Sequence, residues 1–264
     1  MEFVGYLASV FIGLVLGLLG GGGSILSIPI LVYLFHIDPV RASAYSLFIV
    51  GTTSLVGAIP KHRLHLVHFR TGFLFGIPSI ASIFMTRKWI VPAIPDIIFH
   101  SADFTVTKRL LLLGVFAVLM VLAAIPMIRA KKDITSNSKR FRIFLVIVEG
   151  SLIGFLTGLV GAGGGFLIIP ALVFLTGLPF KTAVGTSLFI IGINSLLGFA
   201  GDLMNYTMDW PFLLTITALA IVGILIGNQF SRSIPAVQLR KAFGWMTLLM
   251  GFYMLYREVP SALL

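Results

Sequence analysis

The sequence predicts an all-α membrane protein made of two homologous halves. Three observations predict it: an apolar excess that a water-soluble fold could not bury, apolar stretches of spanning length that recur along the chain, and an ungapped internal repeat. Apolar residues make up 58% of the 264 residues and charged residues 11%, and the mean hydropathy is +1.07. Soluble domains carry about 45–50% apolar and about 25% charged residues. A spanning helix needs about 20 apolar residues, and stretches of that size recur from Phe3 to Phe252. The formal net charge of +10 lies between the apolar blocks, where Lys and Arg orient spans. It therefore points to a lipid bilayer as partner, not to nucleic acid. The first block begins without a basic leader and ends without a small-residue cleavage site, so it is expected to stay as structure. With no cysteine in the chain, disulfides, thiolate metal sites and Cys nucleophiles are excluded.

The repeat is carried by the segments Gly17-Leu18-Leu19-Gly20-Gly21-Gly22-Gly23-Ser24-Ile25-Leu26-Ser27-Ile28-Pro29 and Gly158-Leu159-Val160-Gly161-Ala162-Gly163-Gly164-Gly165-Phe166-Leu167-Ile168-Ile169-Pro170. The offset, from Pro29 to Pro170, is 141 positions. The same offset places Ser46-Leu47-Phe48 on Ser187-Leu188-Phe189, Gly51 on Gly192, Ser54-Leu55 on Ser195-Leu196 and Gly57 on Gly198. That is a duplication rather than shared composition.

Each half is expected to hold about four helical segments. It opens with one long apolar stretch, Phe3 to Phe35 or Ile143 to Leu175, broken in its middle by glycines into a re-entrant pair or a kinked span. Spans follow near Ala42 to Ile59, Gly72 to Phe84 and Leu110 to Ile128, with counterparts near Ala183 to Ala200, Trp210 to Phe230 and Ala242 to Tyr256. The first transmembrane repeat is thus residues 1–128, a basic cytoplasmic linker 129–142, and the second repeat 143–264.

If the glycine-broken stretch crosses once, the halves are parallel and Lys and Arg divide almost evenly between the two sides. If it folds back, the second half is inverted. One face then collects Lys61, Arg63, Arg70, the linker, Lys181, Arg232, Arg240 and Lys241, while Asp202 and Asp209, the counterparts of Lys61 and His68, lie on the other. The positive-inside rule favours inverted repeats with both termini outside.

Gly20 to Gly23 are four consecutive glycines, each costing about 1 kcal/mol in a helix interior relative to alanine. The helix should break there. Irregular backbone at membrane depth persists only where protein or water satisfies its polar groups, so the break is expected to line a cavity. A new half-helix should start near Ser24 or Ile25, and its first N–H groups lack intrahelical acceptors. Such a helix start, with its dipole and with glycines that admit close approach, suits an anion. Gly21, Gly22, Gly23 and Ser24, with Gly163, Gly164, Gly165 and Phe166 in the second half, are the candidate donors. Two ends converging near the midplane would hold negative charge without a buried Lys or Arg, and none is evident in the spans. Close helix packing is the alternative for glycine-rich segments and suits the spaced Gly13, Gly17, Gly154 and Gly158. Consecutive glycines cover every face and fit it less well.

The next span carries Ser46, Thr52, Thr53 and Ser54, matched by Ser187, Ile193, Asn194 and Ser195. Hydroxyls and an amide can donate to oxyanions, or bond helix to helix. Glu149 is the one acid well within an apolar stretch. It reads either as a proton-coupling carboxylate or as an interfacial partner of Arg142. His62, His65 and His68 lie beside Lys61, Arg63 and Arg70 and read as a hydrated interfacial cluster rather than a metal site. Arg41 and Lys181, at span entrances, can attract anions or snorkel. A nucleotide-binding loop is excluded, because no Gly-Lys-Ser or Gly-Lys-Thr follows the glycines. An intramembrane enzyme would need paired acids, a Ser with a His at depth, or metal ligands, none of which the spans supply.

The paired glycine segments, each followed by Ala and then Ser-Leu-Phe, resemble the sulfite exporter TauE/SafE family of membrane permeases over nearly the whole chain. The second half is especially similar through Ala183-Val184-Gly185-Thr186-Ser187 and Gly198. The first departs in having Ser43-Ala44-Tyr45-Ser46 where the family commonly has Gly-Thr-Ser, and its stretch from Arg87 to Lys108 is longer than the family's usual short loop. The resemblance implies transport of sulfite, sulfonates or sulfonated carboxylates, and adds Thr186 to the candidate substrate-binding residues. The expected function is a secondary transporter of the cell inner membrane that moves small sulfur-containing or organic anions by alternating access. It would use no cofactor and no metal, with a proton as the natural coupling ion and an oligomer compatible with the sequence. An anion-selective channel is the alternative reading, and a non-transporting membrane subunit the remaining one.

Overall fold

The structure is a computed structural model describing residues 2–101, 104–129, 143–160, 164–203 and 205–258. Helix α1 (Glu2–Leu19) ends at Gly20, whose φ of +64° is left-handed backbone that only glycine adopts freely. Gly20–Gly23 form a tight 3₁₀ turn, and α2 (Ser24–Pro29) continues through a wider π-helical turn, Ile30–Leu34. The chain folds back here rather than crossing. The Phe35 ring lies where a Gly5 side chain would be, and the Tyr6 and Phe35 ring centroids are 6.2 Å apart. A Cβ on Gly23 would stand 2.5 Å from Leu16 Cγ, so α2 runs back along α1.

Helix α3 (Pro39–Arg63) starts cleanly, with Pro39 in the first turn and the Asp38 carboxylate accepting from the Val40 amide at 2.9 Å. Helix α4 (Phe69–Met85) is capped by His68, whose Nδ1 accepts from the Thr71 amide at 3.2 Å. It continues through a π-helical turn, Thr86–Ile90, into the short α5 (Val91–Ala93). A two-stranded antiparallel hairpin follows, β1 (Ile97–Ser101) with β2 (Phe104–Thr107), in the stretch that reads as a long loop in the sequence. Helix α6 (Lys108–Arg129) follows the hairpin.

The chain after the linker holds a similar order of helices. It comprises α7 (Ile143–Val160), α8 (Gly165–Leu175) after Gly164 at φ +66°, α9 (Phe180–Asp202), α10 (Trp210–Ser233) capped by Asp209, and α11 (Ala236–Glu258). Among the described residues five helical stretches are long and apolar enough to cross a membrane: Pro39–Arg63, Phe69–Ala93, Lys108–Arg129, Phe180–Asp202 and Trp210–Ser233. The protein is an all-α, multi-pass membrane protein, and the hairpin is a small addition to it.

Small residues decide which helices meet. Helices α1 and α10 pack backbone to backbone through Gly13 and Gly17 on one side and Gly223 and Gly227 on the other. A Cβ on Gly17 would lie 2.5 Å from Ile224 O. Helix α7 lies on α4 in the same way, with Gly150 against Phe75 O, Gly154 against Ser79 and Gly158 against Ile83 and Thr86. This is the small-residue packing expected for the spaced glycines. In each of these pairs the helices run in the same direction. Helices α3 and α9 cross at the centre, where Gly51 meets Leu196 and Gly192 meets Leu55.

The two ends of the bundle differ. One gathers Tyr33, Arg109 and Glu258: Tyr33 Oη donates to Glu258 Oε1 at 3.0 Å, and Arg109 donates to both carboxylate oxygens at 3.1 Å. The other gathers Lys61, Ser231, Lys181 and Arg232.

Candidate functional site

The two glycine breaks meet. A side chain on Gly165, the first residue of α8, would overlap Gly21 in the 3₁₀ turn, and one on Gly21 would overlap Gly165. Helix α9 seats this junction. A Cβ on Gly20 would stand 2.9 Å from Val184 Cγ1 and 3.1 Å from Ser187 Oγ, and one on Gly165 2.5 Å from Ile191 Cδ1. The starts of α2 and α8 thus approach one another inside the protein, with Ser24, Ser27, Ser46 and Ser187 buried beside them.

Each of these hydroxyls is engaged. Ser24 Oγ donates to Gly21 O at 2.6 Å, Ser27 Oγ to Ser24 O at 2.7 Å and Ser187 Oγ to Val184 O at 2.8 Å, while Ser27 and Ser46 share a hydrogen bond of 2.5 Å. An anion arriving here would find donors that must turn from backbone carbonyls toward it. Other polar atoms in these helices are buried without partners: the Thr53, Ser54, Ser195 and Thr157 hydroxyls and Asn194 Oδ1. Thr157 Oγ1 occupies the place of a Gly164 side chain, and Asn194 Nδ2 donates to Ser79 Oγ at 2.8 Å.

The sulfite exporter TauE/SafE family model matches residues 6–254. The chain belongs to the sulfite exporter TauE/SafE family. Its relatives carry transporter names. A probable membrane transporter protein of Xylella fastidiosa (strain 9a5c) is 29% identical over 95% of this chain and 93% of its own. The probable membrane transporter protein YunE of Bacillus subtilis is 26% identical over 96% and 98%. A third, MJ0441 of Methanocaldococcus jannaschii, is 25% identical over 93% and 94%. No solved structure matches the chain. The protein is a membrane transporter of the TauE/SafE family, and such a family handles a small-molecule substrate.

Within this TauE/SafE chain the residues singled out from the sequence divide. Gly21, Gly23, Ser24, Ser46, Gly164, Gly165 and Ser187 come together at the junction, with Gly22 in the same turn. Gly163 lies outside the described residues. Thr186 points away, its hydroxyl accepting from the His68 amide at 2.9 Å. Asn194 lies farther along α9, against α4. Glu149 is half-buried on α7 with no hydrogen bond or ion pair among the described residues, and Arg142 is outside them. His68 serves as a helix cap, and the His62 ring packs on Phe69 with centroids 5.1 Å apart.

At the junction glycine lets the two backbones close on each other. A polar opening of about 430 Å³ lies at the Glu258 end, lined by Tyr33, His36, Asp38, Arg109, Arg257 and Glu258. One expectation needs correction: buried cations do exist. Lys61 is 5% exposed and Arg87 and Arg240 are 0% exposed. Arg87, placed by sequence in a loop, lies in the helix, paired with Asp202 at 3.3 Å and donating to Ser43 Oγ at 2.9 Å. Tyr206, in the loop after α9, has its phenol pushed up by burial and by the Asp202 charge. Ser27 was also missed, being one hydroxyl in an apolar half-helix. Its repeat counterpart is Ile168, so the duplication gave no signal for it.

Proposed function

We propose that the chain is a secondary transporter that moves small sulfur-containing oxyanions or organic anions, of the sulfite, sulfonate or sulfocarboxylate type, by alternating access. The substrate site in this reading is the junction of the two glycine breaks, with Gly21 to Ser24, Ser46, Gly163 to Gly165 and Ser187 as its binding residues, and with Thr186 and Asn194 on the same helix α9 reaching the anion only after they leave His68 and Ser79. The observation that carries it is the meeting of Gly21 with Gly165; two helix starts so close would offer an anion amide donors and positive dipole ends. The closed packing there fits an occluded state, from which either half can separate.

The reading includes inverted halves, 1–128 and 143–264. It is supported by the return of α2 to the end where α1 begins, and by α7 lying parallel to α4 and α1 to α10. A proton on Glu149 is the coupling to be tested.

The test is uptake of labelled sulfite, a small sulfonate and a carboxylate control into proteoliposomes, with and without a pH gradient, for wild type and Gly164→Leu. Saturable flux that rises with the gradient and is lost in the variant is expected. Non-saturating flux would make the protein a channel, and no flux of any anion would overturn the substrate class.

A further inference from the structure

The duplication is broken in one chemically specific place. At the offset of 141, position 61 corresponds to 202 and position 87 to 228. At the Glu258 end these positions carry opposite charges, and Arg87 Nη1 meets Asp202 Oδ2 at 3.3 Å with both side chains fully buried. That pair ties α4 of the first half to α9 of the second. At the opposite end the equivalent positions carry Lys61 and Asn228, tying α3 to α10, and neither is an acid. Lys61 Nζ donates to Ser231 Oγ at 2.6 Å, Ser231 Oγ donates to Asn228 O at 2.9 Å, and Asn228 Nδ2 donates to Gly57 O at 3.0 Å. Asn228 Oδ1 is buried without a partner.

Among the described residues no carboxylate lies within ion-pair distance of Lys61. Among the described residues the charges that act on it, Lys181 and Arg232, are both of its own sign. Lys181 Nζ reaches the Arg232 carbonyl at 3.2 Å, which brings the start of α9 against the end of α10. The start of α9 is itself uncapped. Pro179 offers no side-chain acceptor, whereas Asp38 and Asp209 cap α3 and α10. Removing an ammonium from water costs several kcal/mol unless an opposite charge meets it. One hydroxyl acceptor with two neighbouring cations does not offset that cost. An oxyanion would do so, accepting from Lys61 and from the cations at the mouth.

We propose that Lys61, with Lys181 and Arg232 at its rim, forms an oxyanion-binding site at this end of the transport path, where the transported anion supplies the negative charge that Asp202 supplies at the other end. This rests on the transport reading above. Lys61 would hold the anion as it reaches or leaves the junction, and the closed Arg87–Asp202 pair would leave the opposite end without an equivalent stop. An anionic lipid phosphate offers the same chemistry from a different source, and the experiment separates the two.

The experiment has two arms. In proteoliposomes of fixed orientation, KM for sulfite is measured at each face for wild type, Lys61→Gln and Lys61→Arg. Loss of one charged hydrogen bond predicts a rise of about tenfold or more at the Lys61 face, a smaller change at the other face, and near-wild-type behaviour for Lys61→Arg. In the second arm, thermal unfolding is followed in nanodiscs of neutral lipid, with and without sulfite, and in nanodiscs containing an anionic phospholipid without sulfite, adding Ser231→Asp, which gives Lys61 a carboxylate within the chain. The expected result is a sulfite-dependent rise in Tm for wild type that is lost in Lys61→Gln and Ser231→Asp, with Ser231→Asp at least as stable as wild type without sulfite. If wild type transports nothing, this arm still tests the site while the transport reading fails. Equal KM changes at both faces would overturn the proposal. So would a sulfite shift that persists in Lys61→Gln, or a shift that only anionic lipid produces.

Discussion

Replacing Gly165 by alanine tests whether the two glycine breaks meet as described. The added methyl would overlap Gly21 Cα and stand 2.5 Å from Ile191 Cδ1 and 2.7 Å from Gly21 O. Unstrained carbon atoms sit about 3.5–4.0 Å apart, so about 1 Å must open between α8 and the 3₁₀ turn. Ile191 can rotate away. Gly21 cannot, because the left-handed Gly20 before it is seated on Val184 and Ser187. Overpacking of this kind costs about 1–3 kcal/mol. At about 2–4 °C per kcal/mol for a protein of this size, Tm should fall by about 2–12 °C. The matched control is Gly114→Ala on α6, where a Cβ meets nothing within 4 Å and helix propensity favours alanine by about 0.8–1 kcal/mol. That variant should melt at or slightly above the wild-type temperature. Thermal unfolding in detergent, with sulfite flux measured on the same preparations, is the assay. Wild-type Tm and flux in Gly165→Ala would refute the contact and, with it, the junction as the substrate site.

The remaining predictions concern the framework. Arg87→Met should destabilise by about 3–5 kcal/mol, since it leaves the Asp202 carboxylate buried alone. Arg87→Met with Asp202→Leu should regain much of that loss, and a double-mutant cycle in denaturant reads the difference. Gly223→Leu should separate α1 from α10, because any side chain there meets the Val10 carbonyl, and crosslinking between cysteines placed at Leu14 and Ile226 should then fall. Tyr33→Phe removes one hydrogen bond to Glu258, which Arg109 still neutralises. A loss of about 1 kcal/mol in chemical denaturation is expected.

Much of this fold is legible in the sequence because its signals are local. Four glycines in a row break any helix, and a constant offset carries the break, the following spans and the spaced packing glycines from one half to the other. The partners of charged groups are not local, and there the sequence fails. Arg87 is followed by Lys88, Trp89, Pro92 and Pro95 and reads as the start of a loop. Only the placement of Asp202 on a helix of the other half makes it a buried residue. The β1–β2 hairpin was missed for a related reason, since an excursion rich in proline and flanked by charge gives no clear period.

Lys61 shows what each kind of information contributes. By hydropathy it is an end-of-span cation beside His62 and Arg63, free to snorkel into water. The repeat makes it the counterpart of Asp202, which says only that the sign of charge differs between equivalent positions. Packing adds the decisive part: α10 lies over it, its exposure falls to 5%, and the position that holds Arg87 at the other end holds Asn228 here. An equivalent frame with the charges closed at one end and left open at the other is a directional feature, and duplication alone could not have produced it. Exchanging the charge at one end should therefore not mirror its exchange at the other. Asp202→Lys would set two buried cations together and unfold the protein, whereas Lys61→Asp would set a lone acid beside Lys181 and Arg232 and leave it folded.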